Sequence, residues 1–189
     1  YFISPSRGVI KHAASMTHEE EQHHINSVTV FDGYAYYMMN NRAREKSVVS
    51  KFNLETREEE ARVAMNAIQA HNIMISDHTV RTLDTGASLC VVGSDGSKIQ
   101  TGATQSCWLR GFAGTPEEMV VAWHDRGERS QRDNDGSSIE IIKGSSRRLM
   151  YLPSIGAICD LRLVDGEDHC HHNPHPFPAN FERHCSWSV

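Results

Sequence analysis

The amino-acid sequence predicts a mainly β protein, with a small closed barrel or a sandwich in residues 77–166 and a mixed α+β extension in residues 1–76. The main observation is a change in the sequence pattern at His78, after which short β-prone runs alternate with Gly, Ser and Asp. Strands at this density are typical of small barrels and sandwiches. The second observation is a pair of helix-start patterns before residue 77, which accounts for the α component of the extension.

Length and composition favour one globular domain with an extension. Hydrophobic residues make up 39% of the 189 residues, and no apolar run approaches the ~20 residues that a membrane-spanning helix needs. The net charge of -5 argues against nucleic acid as a partner, because phosphate contacts need clustered Lys and Arg. The 5 scattered cysteines form no regular framework, which favours a reducing, cytoplasmic compartment.

The extension contains one clear hairpin signal. Two strand-like runs, residues 28–31 and 34–37, flank Asp32-Gly33. An Asp-Gly pair between two such runs is typical of a two-residue hairpin turn, because both positions need positive φ. Residues 48–52 predict a third strand.

Two capping-box patterns predict helices in the same extension. In residues 17–20 a Thr is followed three positions later by Glu, which predicts a polar helix over residues 18–24. The same spacing recurs in residues 56–59, ahead of apolar residues at helical intervals. We therefore expect a second helix that continues through Ile68.

The second part of the chain predicts strands at close intervals. These are residues 79–84, 89–92, 98–101, 108–112, 119–123, 138–142 and 149–152. The highly charged stretch 125–136 is expected to be a loop, and residues 167–189 form a His/Cys-rich tail.

The most informative motif is Asp84-Thr85-Gly86, followed by Ala87 and Ser88, with apolar strands on both sides. Aspartic peptidases need an Asp that a strand delivers into a cleft, a hydroxyl that fixes the loop, and a Gly that permits close approach of two loops. Two such carboxylates share one proton because like charges so close cannot both ionise. An ordinary strand–turn–strand, with Asp and Gly in turn roles, is the other interpretation of these residues.

The motif and its surroundings resemble the protease region of copia-type retrotransposon polyproteins. After the Asp-Thr-Gly-Ala-Ser sequence and a short apolar run comes Ser94-Asp95-Gly96, and the similarity resumes in residues 149–157 and 161–166. The resemblance covers about residues 79–166. It implies a retropepsin-like closed barrel in which Asp84, Thr85 and Gly86 are catalytic.

The resemblance also implies a partner, a substrate and a location. One Asp-Thr-Gly per chain requires a homodimer, in which Asp84 meets its symmetry mate. The substrate is a polypeptide, most plausibly the chain's own polyprotein, within a cytoplasmic virus-like particle, and no cofactor is needed. The expected substrate-binding residues are Ala87 and Ser88, with Gly111, Phe112 and Gly114 as the candidate flap; residues 115–136 look like an insertion.

Two other functions stay open at this point. One is a non-catalytic β-rich structural or interaction domain, a sandwich or part of a propeller, in which Asp84 is a turn residue. The other is an inactive, domesticated descendant of the protease.

Two groups of histidines raise the question of metal binding. In the tail, His169, Cys170, His172 and Cys185 are weak zinc candidates, because their spacing fits no strong ligand pattern, and a His-rich tail without metal is favoured. In residues 18–24, His18 and His23 are five positions apart and diverge on a helix, so they do not match a helical zinc peptidase.

Overall fold

The computed structural model describes residues 2–4, 8–10, 24–76, 79–128, 134–163 and 169–170. These residues are mainly β, as predicted. They contain no α-helix, only a 3-10 turn at Asn41–Ala43, and within them no helix is long and apolar enough to cross a membrane.

Three four-stranded antiparallel sheets make up most of the described chain, and in each of them the strands follow one another in sequence order. The first sheet consists of β3 (Ile25–Phe31), β4 (Tyr34–Met39), β5 (Val48–Asn53) and β6 (Glu59–Ala64). The second sheet consists of β7 (His71–Ser76), β8 (Thr79–Asp84), β9 (Cys90–Gly93) and β10 (Lys98–Gln100). The third sheet consists of β11 (Cys107–Gly114), β12 (Glu118–Asp125), β13 (Ser137–Lys143) and β14 (Ser146–Leu152). A separate ribbon pairs β1 (Phe2–Ser4) with β2 (Gly8–Ile10).

The predicted hairpin and the predicted strands are confirmed. Asp32 and Gly33 have φ of 49° and 77°, the positive values that a two-residue hairpin turn requires, and Phe31 pairs with Tyr34 across them. The third strand of the extension is β5. All seven strands predicted over residues 79–152 are present as β8 to β14, with ends that differ by at most three residues.

The helix predicted from residue 56 through Ile68 is wrong. Residues 59–64 form β6, which pairs with β5 and places Val63 opposite Val49. Only Val63 is partly buried in this strand, and the other five side chains are exposed. Pairing at the sheet edge outweighed helix propensity here. The other predicted helix, over residues 18–24, lies outside the described residues except for His24, so the α component of the extension has no support.

The closed barrel was also a wrong expectation for the described residues, because the three sheets are separate and open. The expected domain boundary at residue 77 falls between β7 and β8, which pair with each other in the second sheet. The physical reason is that β7, β8 and β9 of the second sheet are buried on both faces, and each face needs a neighbouring sheet as cover.

Two hydrophobic cores lie between successive sheets. The first core joins the first and second sheets and consists of Met38, Val49, Met65, Ala67, Ala70, Ile73, Ile75, Val80, Cys90 and Val92. The second core joins the second and third sheets and consists of Met74, Leu83, Leu89, Val91, Cys107, Leu109, Phe112, Met119, Val121, Trp123, Ile142 and Cys170. Successive residues of β9 alternate between the two cores, as side chains on opposite faces of a strand must.

The first strands of the three sheets contact one another in series. β3 contacts β7, and β7 contacts β11. The second strand of each sheet also reaches the first strand of the next, since β4 contacts β7 and β8 contacts β11. The same geometric step therefore relates the first sheet to the second and the second sheet to the third. We call β3, β7 and β11 the inner strands.

The chain after β14 returns to the inner strands. The side chain of Leu161 lies over Gly111, so close that a Cβ at Gly111 would be 2.7 Å from Leu161 Cγ. Farther on, the amide of His169 donates to the carbonyl of Gly114 at 2.9 Å, and the amide of Ile75 donates to the carbonyl of His169 at 3.1 Å. Residues 161 and 169 thus tie this segment to the second and third sheets.

Candidate functional site

Asp84 is the last residue of β8 and is enclosed by its own chain. Its exposed fraction is 2%. Oδ1 accepts hydrogen bonds from the amide of Ile68 at 2.9 Å and from the amide of Ala87 at 3.3 Å. Oδ2 accepts from the amide of Ser88 at 2.9 Å and from the Ser88 hydroxyl. Both oxygens of the carboxylate therefore serve the local structure.

Thr85 and Gly86 complete a set of contacts that we call the Asp84–Gly86 clasp. The hydroxyl of Thr85 donates to the carbonyl of Leu109 in β11 at 2.8 Å. The amide of Gly86 donates to the carbonyl of Ile68 at 2.7 Å. A Cβ at Gly86 would lie 2.7 Å from that same oxygen, so only glycine allows this approach. The clasp connects the link before β7, the end of β8 and the third sheet.

Thr85 and Gly86 make the kinds of contact that the motif predicted, but within their own chain. The hydroxyl expected to fix the loop does so through the third sheet, and the close approach that needs glycine is to Ile68 of the same chain. Ser88 Oγ also lies 2.8 Å from Cys90 Sγ. Burial raises the pKa of the Cys90 thiol, which keeps it protonated and disfavours a nucleophilic role.

The candidate flap residues do not lie at a hairpin tip. Gly111, Phe112 and Gly114 belong to β11 and are buried, with Phe112 at 0% exposure in the second core. Ala87 is exposed and Ser88 is half-buried, both in the turn after Asp84. The structure therefore brings Ala87 and Ser88 to Asp84 and places the three flap candidates in β11, a buried strand at one edge of the third sheet.

Of the four tail candidates for zinc, the structure describes only His169 and Cys170. Cys170 is 3% exposed and belongs to the second core, where it packs against apolar side chains. His172 and Cys185 lie outside the described residues. Among the described residues no group of three or more His, Cys, Asp or Glu side chains is placed to hold a metal ion.

A pocket that sequence reasoning missed lies where β7 and β11 begin. This mouth pocket has a volume of about 130 Å³ and is lined by His24, Asn40, Arg42, Gln69, His71, Trp108 and Arg110. Its lining residues are separated in sequence by up to 86 positions and share no motif. The sequence offered one clue to this pocket, the position of two residues in their strands. His71 is the first residue of β7, and Trp108 is the second residue of β11, the next inner strand.

His71 is the centre of the polar contacts in the mouth pocket. Arg110 Nη1 donates to His71 Nε2 at 2.7 Å, and Asn26 Nδ2 lies 2.9 Å from Nδ1. The Thr82 hydroxyl donates to the carbonyls of His71 and Asn72, at 2.9 and 2.7 Å, which holds the bulge in β7 in place. Burial, the Arg110 guanidinium and His24 lower the pKa of His71 to about 3, so the imidazole is neutral at physiological pH.

Trp108 carries two guanidinium groups against its ring. The Cζ atoms of Arg110 and Arg126 lie 5.5 and 4.3 Å from its ring centroid, within the range of cation–π attraction. Arg126 is also fixed by donation to the carbonyls of Cys107 at 2.9 Å and Thr85 at 3.1 Å. The clasp and the mouth pocket are thus neighbours, joined through Arg126.

A second cavity lies between the inner strands and the returning segment. Its volume is about 220 Å³, and its lining residues are Asn26, Ser27, Val28, Asn72, Ile73, Cys159, Asp160, Arg162 and Cys170. Asn72 has a φ of 59°, and its Nδ2 is buried without a hydrogen-bond partner in the described part of the chain. The cavity is polar and contains both charge signs, with Arg162 Nε 3.6 Å from Asp160 Oδ2.

Comparisons with protein-family models, with curated proteins and with solved structures gave no match to this chain.

Proposed function

We propose that the chain is a non-catalytic interaction module built from successive blades of a propeller-type repeat. The observation that carries the proposal is the enclosure of Asp84, whose two oxygens accept four hydrogen bonds from the chain itself. A carboxylate that holds three backbone amides is in the role of a loop anchor, because moving it would leave those donors unsatisfied.

The sheet arrangement supports the same proposal. β-Propellers consist of four-stranded antiparallel sheets placed around a central axis. Here three such sheets follow one another, and β3, β7 and β11 contact each other in series, as strands nearest such an axis do. Leu161 over Gly111 marks the position at which the first strand of a further sheet is expected.

A side-chain to backbone hydrogen bond that recurs between successive sheets also favours a repeat. After β4, Asn40 Nδ2 donates to the carbonyl of Ala70, in the link that leads to β7, at 3.1 Å. After β8, the Thr85 hydroxyl donates to the carbonyl of Leu109 in β11 at 2.8 Å. In both cases the side chain that follows the second strand of one sheet binds the backbone that begins the next sheet.

The competing hypothesis is the aspartic peptidase of retrotransposon type, which rests on the motif Asp84-Thr85-Gly86. It requires a retropepsin-like barrel and a homodimer in which two Asp84 carboxylates share a proton. Asp84 would have to leave the amides of Ile68, Ala87 and Ser88 to do so. A domesticated, inactive descendant would retain the motif without this requirement.

Peptide hydrolysis separates these functions. Wild type and Asp84→Asn are compared over a wide range of protein concentration and at acidic to neutral pH, with a mixed peptide library as substrate. We expect no cleavage above that of buffer in either protein. Cleavage by wild type that rises steeply with concentration, and that a folded Asp84→Asn variant lacks, would overturn the interaction module and establish the peptidase.

A further inference from the structure

We propose that β14 (Ser146–Leu152) pairs edge to edge with the β14 of a second copy of this chain, around a two-fold axis at Leu149. Among the described residues β14 pairs only with β13, and its other edge is open there. This contact goes beyond the proposed function, because it uses an edge that neither the clasp nor the mouth pocket includes. It also differs from the dimer that a peptidase requires, since Asp84 stays buried under its own chain.

β14 differs from the outer strands of the other two sheets, whose edges resist pairing. β10 has only 3 residues and carries Lys98. β6 has a register shift against β5 and presents three charged side chains. β14 has 7 residues, pairs with β13 without a register shift, and contains neither lysine nor proline. Short strands, lysines, prolines and bulges keep edges from pairing, so β14 is the outer strand most open to association.

Two large apolar side chains on β14 are exposed to solvent. Leu149 is 61% exposed and Tyr151 is 64% exposed, more than any other large hydrophobic side chain of the residues described. They share a face of the strand with Arg147, since successive side chains alternate. Arg147 donates to the carbonyl of Gln100 at 2.7 Å and forms an ion pair with Glu140 at 3.3 Å. On this face a partner strand would therefore cover apolar surface, and the one charge on β14 there already has partners.

The open backbone groups of β14 belong to the same residues. The two-residue loop between β13 and β14 makes Lys143 and Ser146 a hydrogen-bonded pair. Such pairs alternate along an antiparallel ladder, so every second residue from Ser146 onward bonds to β13. The residues between them, Arg147, Leu149 and Tyr151, point their N–H and C=O groups away from β13. No other backbone hydrogen bond to these three residues occurs within the described part of the chain.

One register satisfies all of these groups at once. With Leu149 opposite itself across the axis, Arg147 of each copy lies opposite Tyr151 of the other, and every outward amide meets an outward carbonyl. A shift in one direction would place Arg148 opposite itself, and like charges directly opposite are destabilising. A shift in the other direction would place Arg147 opposite Pro153, which has no N–H to donate.

Sedimentation velocity of the full chain over a wide range of protein concentration tests the pairing, with a reductant present because Cys159 is exposed. One pair of strands buries less than the roughly 1,200 Å² of a standard interface, so we expect dimers only at about 10 µM and above. Leu149→Lys places two ammonium groups against each other across the axis and should weaken association by about tenfold or more. The matched control is Leu54→Lys, at an exposed leucine in the turn after β5, which should leave association within about twofold of wild type.

A mixture of two variants with opposite charges tests the position of the axis. Leu149→Glu should also associate poorly on its own, because two carboxylates then meet. When it is mixed with Leu149→Lys, association should return, since the lysine meets the glutamate only if position 149 faces itself. A mixture that stays monomeric, or a single variant that associates as well as wild type, would overturn the pairing.

Amide hydrogen exchange in the wild-type chain gives a readout that does not depend on the folding of any variant. The outward amides of Arg147, Leu149 and Tyr151 should exchange more slowly as the protein concentration rises. Those of Arg148 and Met150 are bound to β13 and should not change. Slower exchange confined to other strands, or a chain that stays monomeric at about 1 mM, would overturn the pairing.

Discussion

The Asp84 carboxylate accepts a hydrogen bond from the amide of Ile68 at 2.9 Å, and the carbonyl of Ile68 accepts one from the amide of Gly86 at 2.7 Å. One peptide segment before β7 is therefore bound on both its donor and its acceptor side by the turn that follows β8. With Thr85 bound to Leu109, this turn connects elements that belong to different sheets.

Replacement of Asp84 by alanine should destabilise the fold strongly. The change leaves the amides of Ile68, Ala87 and Ser88 without their acceptor, and hydrogen bonds to a charged group are worth about 1.5–3 kcal/mol each. We expect a loss of about 3 kcal/mol or more in the free energy of unfolding, measured by urea titration. The control is Asp95→Ala, since Asp95 accepts comparable hydrogen bonds from Ser97 in an exposed turn. A loss equal to that of Asp95→Ala would contradict the anchor role.

Gly86→Ala should destabilise the chain through a steric clash. The added Cβ would lie 2.7 Å from the carbonyl oxygen of Ile68 and 2.8 Å from its Cγ2. Overpacking of this kind costs about 1–3 kcal/mol. The control is Gly102→Ala, where the nearest atom to a new Cβ is Trp123 Cη2 at 3.4 Å, an ordinary van der Waals distance. Thermal unfolding of both variants is the measurement, and equal melting temperatures would count against the clasp.

Stability should fall on mild acidification because of His71. Its pKa is lowered from 6.5 to about 3, so between these values the unfolded chain binds a proton that the folded chain does not. The free energy of unfolding is therefore highest above about pH 6.5. As the pH falls from there toward 3, it decreases by at most about 1.4 kcal/mol per pH unit through this one group.

Urea titrations between about pH 7 and 5 isolate this effect, because the ordinary carboxylates titrate mostly below that range. In His71→Asn, which keeps a polar side chain beside Asn26 and Arg110, the slope of stability against pH should be smaller. An unchanged slope in the variant would show that His71 is not the group responsible.

Limited proteolysis should not release a stable fragment that begins near residue 77. The first core takes Met38 and Val49 from the first sheet and Ile75, Val80 and Val92 from the second. Removal of residues up to 76 would take away β7 and expose one face of β8 and β9 to water. We expect the first cleavage to lead to further degradation of the chain, and mass spectrometry of samples taken over time is the measurement. A persistent fragment from residue 77 onward would contradict this packing.

The sequence by itself determined where most strands lie. Asp32-Gly33 between two apolar runs could be recognised because a two-residue hairpin turn restricts both residues to positive φ, and such restrictions are local. The strands of residues 79–152 were equally predictable, since β-prone runs there are separated by turn-forming residues. Local chemistry also singled out Asp84-Thr85-Gly86, but as a catalytic motif, with an ordinary strand–turn–strand as the other interpretation.

Tertiary structure alone decided which surfaces these strands share. Residues 56–68 carry a helical pattern, yet residues 59–64 within them pair with β5, because the sheet offers hydrogen bonds and a partner for Val63 that a helix would not. Gly86 meets Ile68, and Arg110 meets His71, only after three sheets have stacked. Contacts between residues 18 and 39 positions apart leave no periodic trace in a sequence, because they depend on packing between sheets and not on the conformation of either segment.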